Sequence, residues 1–281
     1  MTSGFIYAAM AFALVFIWRA TRILNFAQAG MLLISTSIAL EVINETGSYW
    51  AGFTTAVISG FLIGAVVEIV LMRRVEHTAA LNALIVTLGL LLFLQAVTGM
   101  VWGGTPRSFP SALSVRGLAI GQARLLLSPS DLFTITTVLA IVALLVVLFH
   151  ATAVGLRMRA TAFAPEVARM FGVRIAGVST LSWALAGALG AVAGVLVAPS
   201  TFVGPNQFDA VLVFGFVSAI VGGLDSLSGA VVGGLLVGLT LSYVSGYLGS
   251  ETALLGALVL LIVVLAVRPS GLFGRTSARR V

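Results

Sequence analysis

The sequence predicts an all-α protein, a polytopic bundle of about eight or nine transmembrane helices, and three observations carry that prediction. Of the 281 residues, 60% are apolar and only 9% charged, whereas a soluble domain carries about 25% charged residues. The mean hydropathy is +1.16. Apolar runs recur at close to the roughly 20 residues that a helix needs to cross the hydrocarbon core.

The strongest candidate spans are Ala51–Met72, Leu81–Val101, Asp131–Phe149 and Gly177–Ala198, each a long run with few charges. Gly4–Trp18, Ala29–Ile43, Phe208–Val221, Ala230–Leu248 and Thr252–Val267 are shorter or more polar. Phe208–Val221 is short enough to be re-entrant. No basic residue precedes the first apolar run and no small-residue cleavage site follows it, so it is expected to be a retained span rather than a leader. The chain is expected to form one membrane domain over residues 1–281.

The charges orient this array. All 15 basic residues are Arg. Twelve fall in one set of connections: Arg19 and Arg22; Arg73 and Arg74; Arg157, Arg159, Arg169 and Arg174; Arg268, Arg275, Arg279 and Arg280. The opposite set holds only Arg107, Arg116 and Arg124, in the Pro-containing loop Gly103–Ser130. Basic residues collect on the cytoplasmic side, which puts the N-terminus outside and the C-terminus inside. That requires an odd number of crossings, nine if Phe208–Val221 spans. The net charge of +6 thus reads as topology, not as nucleic-acid binding.

Other function classes fall away. There is no Lys for a phosphate-binding P-loop and no Cys for thiol chemistry or metal ligation. No HExxH or GxSxG stretch occurs. His77 lies in a loop and His150 at a span end, so no metal or other cofactor is expected.

Polar residues inside the spans are the remaining functional candidates. Glu68 sits one turn inside its span, within reach of Arg73 and Arg74, and is expected to pair or snorkel. Glu41 and Asp131 fall at span ends, where they reach water. Asn25, Gln28, Ser35, Ser37, Asn82, Thr87, Gln95 and the Thr134–Thr137 group are uncharged. Such residues make interhelical hydrogen bonds; a path lined by them suits a polar, zwitterionic or neutral solute. Glycines four apart (Gly60 and Gly64, Gly190 and Gly194, Gly229 and Gly233, Gly234 and Gly238) predict closely packed helices. The Gly- and Ser-rich stretch Val221–Ala230 reads either as a tight turn, which is favoured, or as a broken helix beside a transport path.

The connection at about residues 151–175 holds Pro165-Glu-Val-Ala-Arg-Met-Phe-Gly-Val173. Pro165 suits a first helical turn, Glu166 suits the positive end and Gly172 suits the stop. A short helix held between two spans is fit to dock on another protein; the plainer alternative is an ordinary loop.

Glu166-Val-Ala168-x-x-x-Gly172 resembles the EAA-x-x-x-G coupling loop of ABC importer permeases. Four further stretches are similar to the branched-chain amino acid permeases (the LivH/LivM family): residues 159–173 with the Ala/Gly-rich span that follows, Leu24–Gly30, Val221–Ala230, and Arg268-Pro-Ser-Gly-Leu-Phe-Gly274. The matches run in order from residue 24 to residue 274, and the length is closer to the LivH member. Gln28 and Ala29 stand where that family commonly has His-Gly, and Asp225 where it has Gly. The resemblance implies a permease that hydrolyses nothing itself. Its implied partners are a second permease subunit (alike or different), two ABC ATPase subunits and an external solute-binding protein against Gly103–Ser130. It further implies that Glu166, Ala168 and Gly172, with Arg157, Arg159 and Arg169, meet an ATPase in the bacterial inner membrane. Asn25, Gln28, Thr87 and Gln95 become candidates for the translocation path. An ion-driven carrier or channel is the competing class.

Overall fold

The computed structural model describes residues 2–75, 80–117, 119–120, 123–124 and 127–274. His77, Arg275, Arg279 and Arg280 lie outside the described residues. The chain is built from helices in the order the apolar runs predict. They are α1 (Thr2–Thr21), α2 (Gln28–Thr46), α3 (Tyr49–Val67, continuing through a π turn to Val75) and α4 (Ala80–Trp102). Next come α5 (Pro129–Ala151), α6 (Ala153–Phe163), α7 (Pro165–Met170) and α8 (Ile175–Thr201). The last are α9 (Asp209–Gly222), α10 (Leu227–Leu248) and α11 (Ala253–Val267).

Seven of the described helical stretches are long and apolar enough to cross a membrane. Two of the nine expected segments fall short, for different reasons. Helix α2 has 19 residues but carries Gln28, Ser35, Thr36 and Ser37, all buried; its polarity is matched by protein, not lipid. Helix α9 has 14 residues, about 21 Å at 1.5 Å per residue, against a core of about 30 Å.

Burial sorts the bundle. Helix α8 forms its centre, with 83% of its apolar window buried, against 6% for the last helix. Helices α1 and α2 pack on α8 and are largely buried themselves. The outer faces of α3, α4, α5 and α11 expose Ile58, Leu92, Leu144 and Ile262, as lipid-facing helices do. With lipid as apolar as Leu, such helices associate through close packing of small residues. That is where the glycines sit. A Cβ on Gly60 would lie 2.6 Å from the Gly187 carbonyl oxygen, and one on Gly64 would strike the Trp183 carbonyl, so α3 and α8 cross backbone on backbone. Gly234 and Gly238 meet Ala8 and Gly4 of α1 in the same way, and Gly229 and Gly233 meet Gly222 and Ser218 of α9. Each glycine pair predicted from sequence marks a helix crossing.

The helix ends follow local chemistry. Ser48 caps α3, and Ser128 with Asp131 forms a reciprocal capping box ahead of Pro129 at the start of α5. Asp131 also accepts from Thr2 at 2.7 Å, so this carboxylate is half-buried and engaged rather than simply hydrated as expected. Val221–Ala230 is the tight turn: α9 stops at Gly222, Gly223 takes φ of 101°, and Ser226 caps α10. The C-terminal motif closes over it, with Leu272 and Phe273 amides donating to the Val221 and Gly222 carbonyls at 2.9 and 3.0 Å. The loop from Gly103 is briefly structured, as its prolines suggest. Arg107 exchanges two 2.8 Å backbone bonds with Val203, Phe109 is buried beside Tyr49, and Ala119–Ile120 pairs antiparallel with Ala123–Arg124.

Candidate functional site

Two groups of predicted residues occupy different places. The first is the connection between α5 and α8. Thr152 caps α6, its hydroxyl accepting from the Gly155 amide at 3.2 Å. A Cβ on Gly155 would strike the Leu148 and Phe149 carbonyls, so a glycine is needed for α6 to fold back against the end of α5. Helix α7 follows at once, with Pro165 in its first turn, Glu166 at its positive end and Arg169 at its negative end.

Gly172 ends α7 through two bonds. Its amide donates to the Arg169 carbonyl and that of Val173 to the Ala168 carbonyl, both at 3.0 Å. That is the Schellman pattern, which needs a left-handed residue at this position; Gly172 has φ of 79° and nothing within 4 Å of a Cβ placed there. The motif glycine is therefore required for its backbone, not for space. Ala168 is the one buried residue of α7. Around it Glu166 and Arg169 are exposed, and Phe163, Met170 and Phe171 are 93%, 81% and 83% exposed. Three large apolar side chains beside a carboxylate and a guanidinium form a raised surface that none of the described residues covers.

The structure separates the arginines assigned to this surface. Arg157 and Arg169 are exposed. Arg159 is half-buried and turned back toward α5, 5.9 Å from the Phe149 ring, with a long 3.5 Å contact to the His150 carbonyl. Arg19 covers the same ring at 4.4 Å. Sequence alone gives no signal for the Arg19 contact, because Arg19 and Phe149 lie far apart along the chain. A cleft of about 560 Å³ opens between the end of α1 and α7, lined by Arg19, Arg22, Glu166 and Arg169 among others. Arg22 also pairs with Asp225 of the α9–α10 turn at 2.5 Å.

The second group is interior. Asn25 lies not in a span but in the linker between α1 and α2, where irregular backbone survives because Ile23, Asn25 and Ala27 are buried in protein. Its Nδ2 donates to Gln28 Oε1 at 2.9 Å, and Gln28 Nε2 donates to the Ala186 carbonyl of α8 at 2.8 Å. Gly190 makes room for that amide, since a Cβ there would collide with Gln28. Thr87 of α4 contacts the Leu24 carbonyl of the same linker at 3.3 Å. Asn25, Gln28 and Thr87 thus form one buried cluster. Gln95 is elsewhere, donating to Asp209 Oδ1 at 2.7 Å, a partner that sequence reasoning missed because it lies at the foot of another helix. Among the described residues no group of three metal-ligating side chains exists.

A glycine-seamed bundle of membrane-length helices that carries a short capped helix between two of them defines a polytopic helical membrane protein. In fold the chain is similar to a chain of PsaBC from Streptococcus pneumoniae in complex with Fab, with a TM-score of 0.56 and 13% identity over 96% of this chain and 90% of that one. The chain belongs to the branched-chain amino acid transport system permease component family, whose model matches residues 1–267. Among its relatives, the high-affinity branched-chain amino acid transport system permease protein LivH of Escherichia coli (strain K12) is 28% identical over all of this chain and 95% of its own length. A probable LivH permease of Methanocaldococcus jannaschii is 27% identical over 94% of this chain and 87% of its own. BraD of Pseudomonas aeruginosa is 25% identical over 100% and 95%.

Proposed function

We propose that this chain is the permease half of an ATP-driven importer in a bacterial inner membrane, carrying branched-chain amino acids or similar small polar solutes. Family membership supports the class. The observation that carries the coupling role is the exposed α7, fixed by the Gly172 cap and flanked by Phe163, Met170 and Phe171. Such a surface fits a groove on an ATPase subunit, whose closure then reaches the spans as rigid-body motion. Glu166 and Arg169 add the charged rim. In this reading the N-terminus is outside and the C-terminus cytoplasmic. A binding protein delivers solute to the Gly103–Ser130 side, and a second permease subunit completes the path. The domain is one unit over the whole chain.

Asn25, Gln28 and Thr87 then hold the helices that move rather than line the path, since each is buried and bonded within this chain. An ion-driven carrier is the competing class. Its hallmark, an unpaired carboxylate deep in the spans, does not fit Glu68, which is bonded to Arg73. Reconstituted uptake decides between them. Transport that needs ATP and co-isolating nucleotide-binding subunits supports the importer; transport that follows an ion gradient alone overturns it.

A further inference from the structure

Beside α7, bordered by Phe171 and Gly172, lies a groove of about 460 Å³ where α6 meets the start of α8. Its chemistry is graded. Arg157 and Arg174 stand at the rim, both exposed, and neither guanidinium has an ion-pair partner among the described residues. No carboxylate lines it. The floor is apolar, made by Val154, Met158, Val178 and Leu181. From Arg174 to Leu181 the wall runs seven residues along α8, about 10 Å, so the floor lies inside a helix that crosses the membrane. At Gly177 the wall is open, with nothing within 4 Å of a Cβ built there.

Two cations above an apolar slot at membrane depth match an amphiphile with an anionic head. A free phosphate leaves the floor uncovered, and a soluble protein surface reaches the rim but not Leu181. We propose that this groove holds an anionic phospholipid of the cytoplasmic leaflet, its phosphate between Arg157 and Arg174 and the upper part of an acyl chain on Val154, Met158, Val178 and Leu181. The leaflet, but not the site, rests on the orientation proposed above. The assignment gives Arg157 to the bilayer rather than to an ATPase. Basic pockets between spans attract lipid phosphates in this way.

The test is native mass spectrometry of the protein released from nanodiscs of equal parts phosphatidylglycerol and phosphatidylcholine. Wild type is expected to retain phosphatidylglycerol preferentially. The variant carrying Arg157→Gln and Arg174→Gln is expected to lose that preference roughly thirtyfold, while Arg116→Gln, in the loop of the opposite set, keeps it. Thermal unfolding in pure phosphatidylcholine shows whether the double variant is folded. If it is not, Val178→Glu, which charges the floor and leaves both arginines, must abolish the preference instead. Equal retention of the two lipids by wild type overturns the proposal. So does an unchanged preference in the double variant, or loss of bound ATPase subunits with the lipid retained. The orientation is read separately: the chain has no Cys, so Phe163→Cys reports sidedness with an impermeant maleimide. Labelling from the outside overturns the orientation and leaves the lipid result standing.

Discussion

Glu68 and Arg73 form an ion pair across the π turn that ends α3, with Glu68 Oε2 and Arg73 Nη2 2.9 Å apart and Arg73 Nε 3.3 Å from Oε1. The carboxylate is fully buried. Thr180 of α8 joins the pair, donating to Glu68 at 2.5 Å and accepting from Arg73 at 2.8 Å. The extra residue that the π turn accommodates places Glu68 and Arg73, five apart, side by side. The pair that sequence predicted as a local contact is thereby also a clamp between two spans.

Breaking this clamp on one side is expected to be worse than removing both partners. Arg73→Gln leaves a buried carboxylate uncompensated and costs about 2 kcal/mol, below the usual 3–5 because Arg73 is partly exposed. Combining it with Glu68→Gln recovers part of that loss. Thermal unfolding of the four members of the cycle in one detergent measures the coupling; equal losses that simply add show that the pair contributes nothing.

The helix seam predicts a contrast between glycines. Gly64→Val drives a side chain into the Trp183 carbonyl and is expected to destabilise by about 3 kcal/mol, at the upper end for overpacking. Gly89→Ala, at a site with open space on α4, is expected to be neutral or stabilising by up to about 1 kcal/mol, the helix-propensity gain. Denaturation midpoints of the two variants check this.

At Gly172 the expected order follows backbone conformation. Asn tolerates the left-handed region, Ala costs about 1 kcal/mol there, and a β-branched residue more. Since nothing packs against the position, the loss of stability is expected not to exceed these backbone costs, and all three variants are expected to fold. ATP-driven uptake should fall in the order Asn, Ala, Val. Gly172→Asp and Glu166→Arg are expected to uncouple transport while the protein remains in the membrane. Normal uptake by Gly172→Val removes the coupling role.

Gln28 separates packing from lining. Gln28→Ala loses its bond to the Ala186 carbonyl and strands the Asn25 amide, costing about 1–2 kcal/mol given the modest worth of hydrogen bonds in membranes. The KM for solute is expected to be unchanged. A raised KM with unaltered stability makes Gln28 a path residue instead.

The Arg22–Asp225 bridge is half-exposed on both sides, and Asp225→Gly is expected to cost under about 1 kcal/mol, an effect that salt erases. Unfolding at low and high ionic strength measures it. A larger loss that survives high salt would show that Asp225 holds the α9–α10 turn by more than charge.

Much of this was legible along the chain. Apolar runs located the helices, glycines four apart marked where they cross, and Pro165, Glu166 and Gly172 bounded α7. Each of these signals is local, carried by residues within a few turns of one another. What was not legible joins distant positions. Gln95 finds Asp209, Arg19 and Arg159 share the Phe149 ring, and Asn25 is buried in a linker rather than held in a span.

The sequence by itself determined that the chain is a helical membrane bundle, where its helices begin and end to within a few residues, and that a short helix bounded by Pro165 and Gly172 stands between two of them. Only the tertiary structure decided which helices are central and which face lipid, because hydropathy ranks the spans, lower in the buried α1 and α8 than in the lipid-facing α5 and α11, but does not say which helix packs on which. It also decided the use of each polar residue. A glutamine or an arginine carries no record in its own neighbourhood of the carbonyl, ring or carboxylate that another helix brings to it.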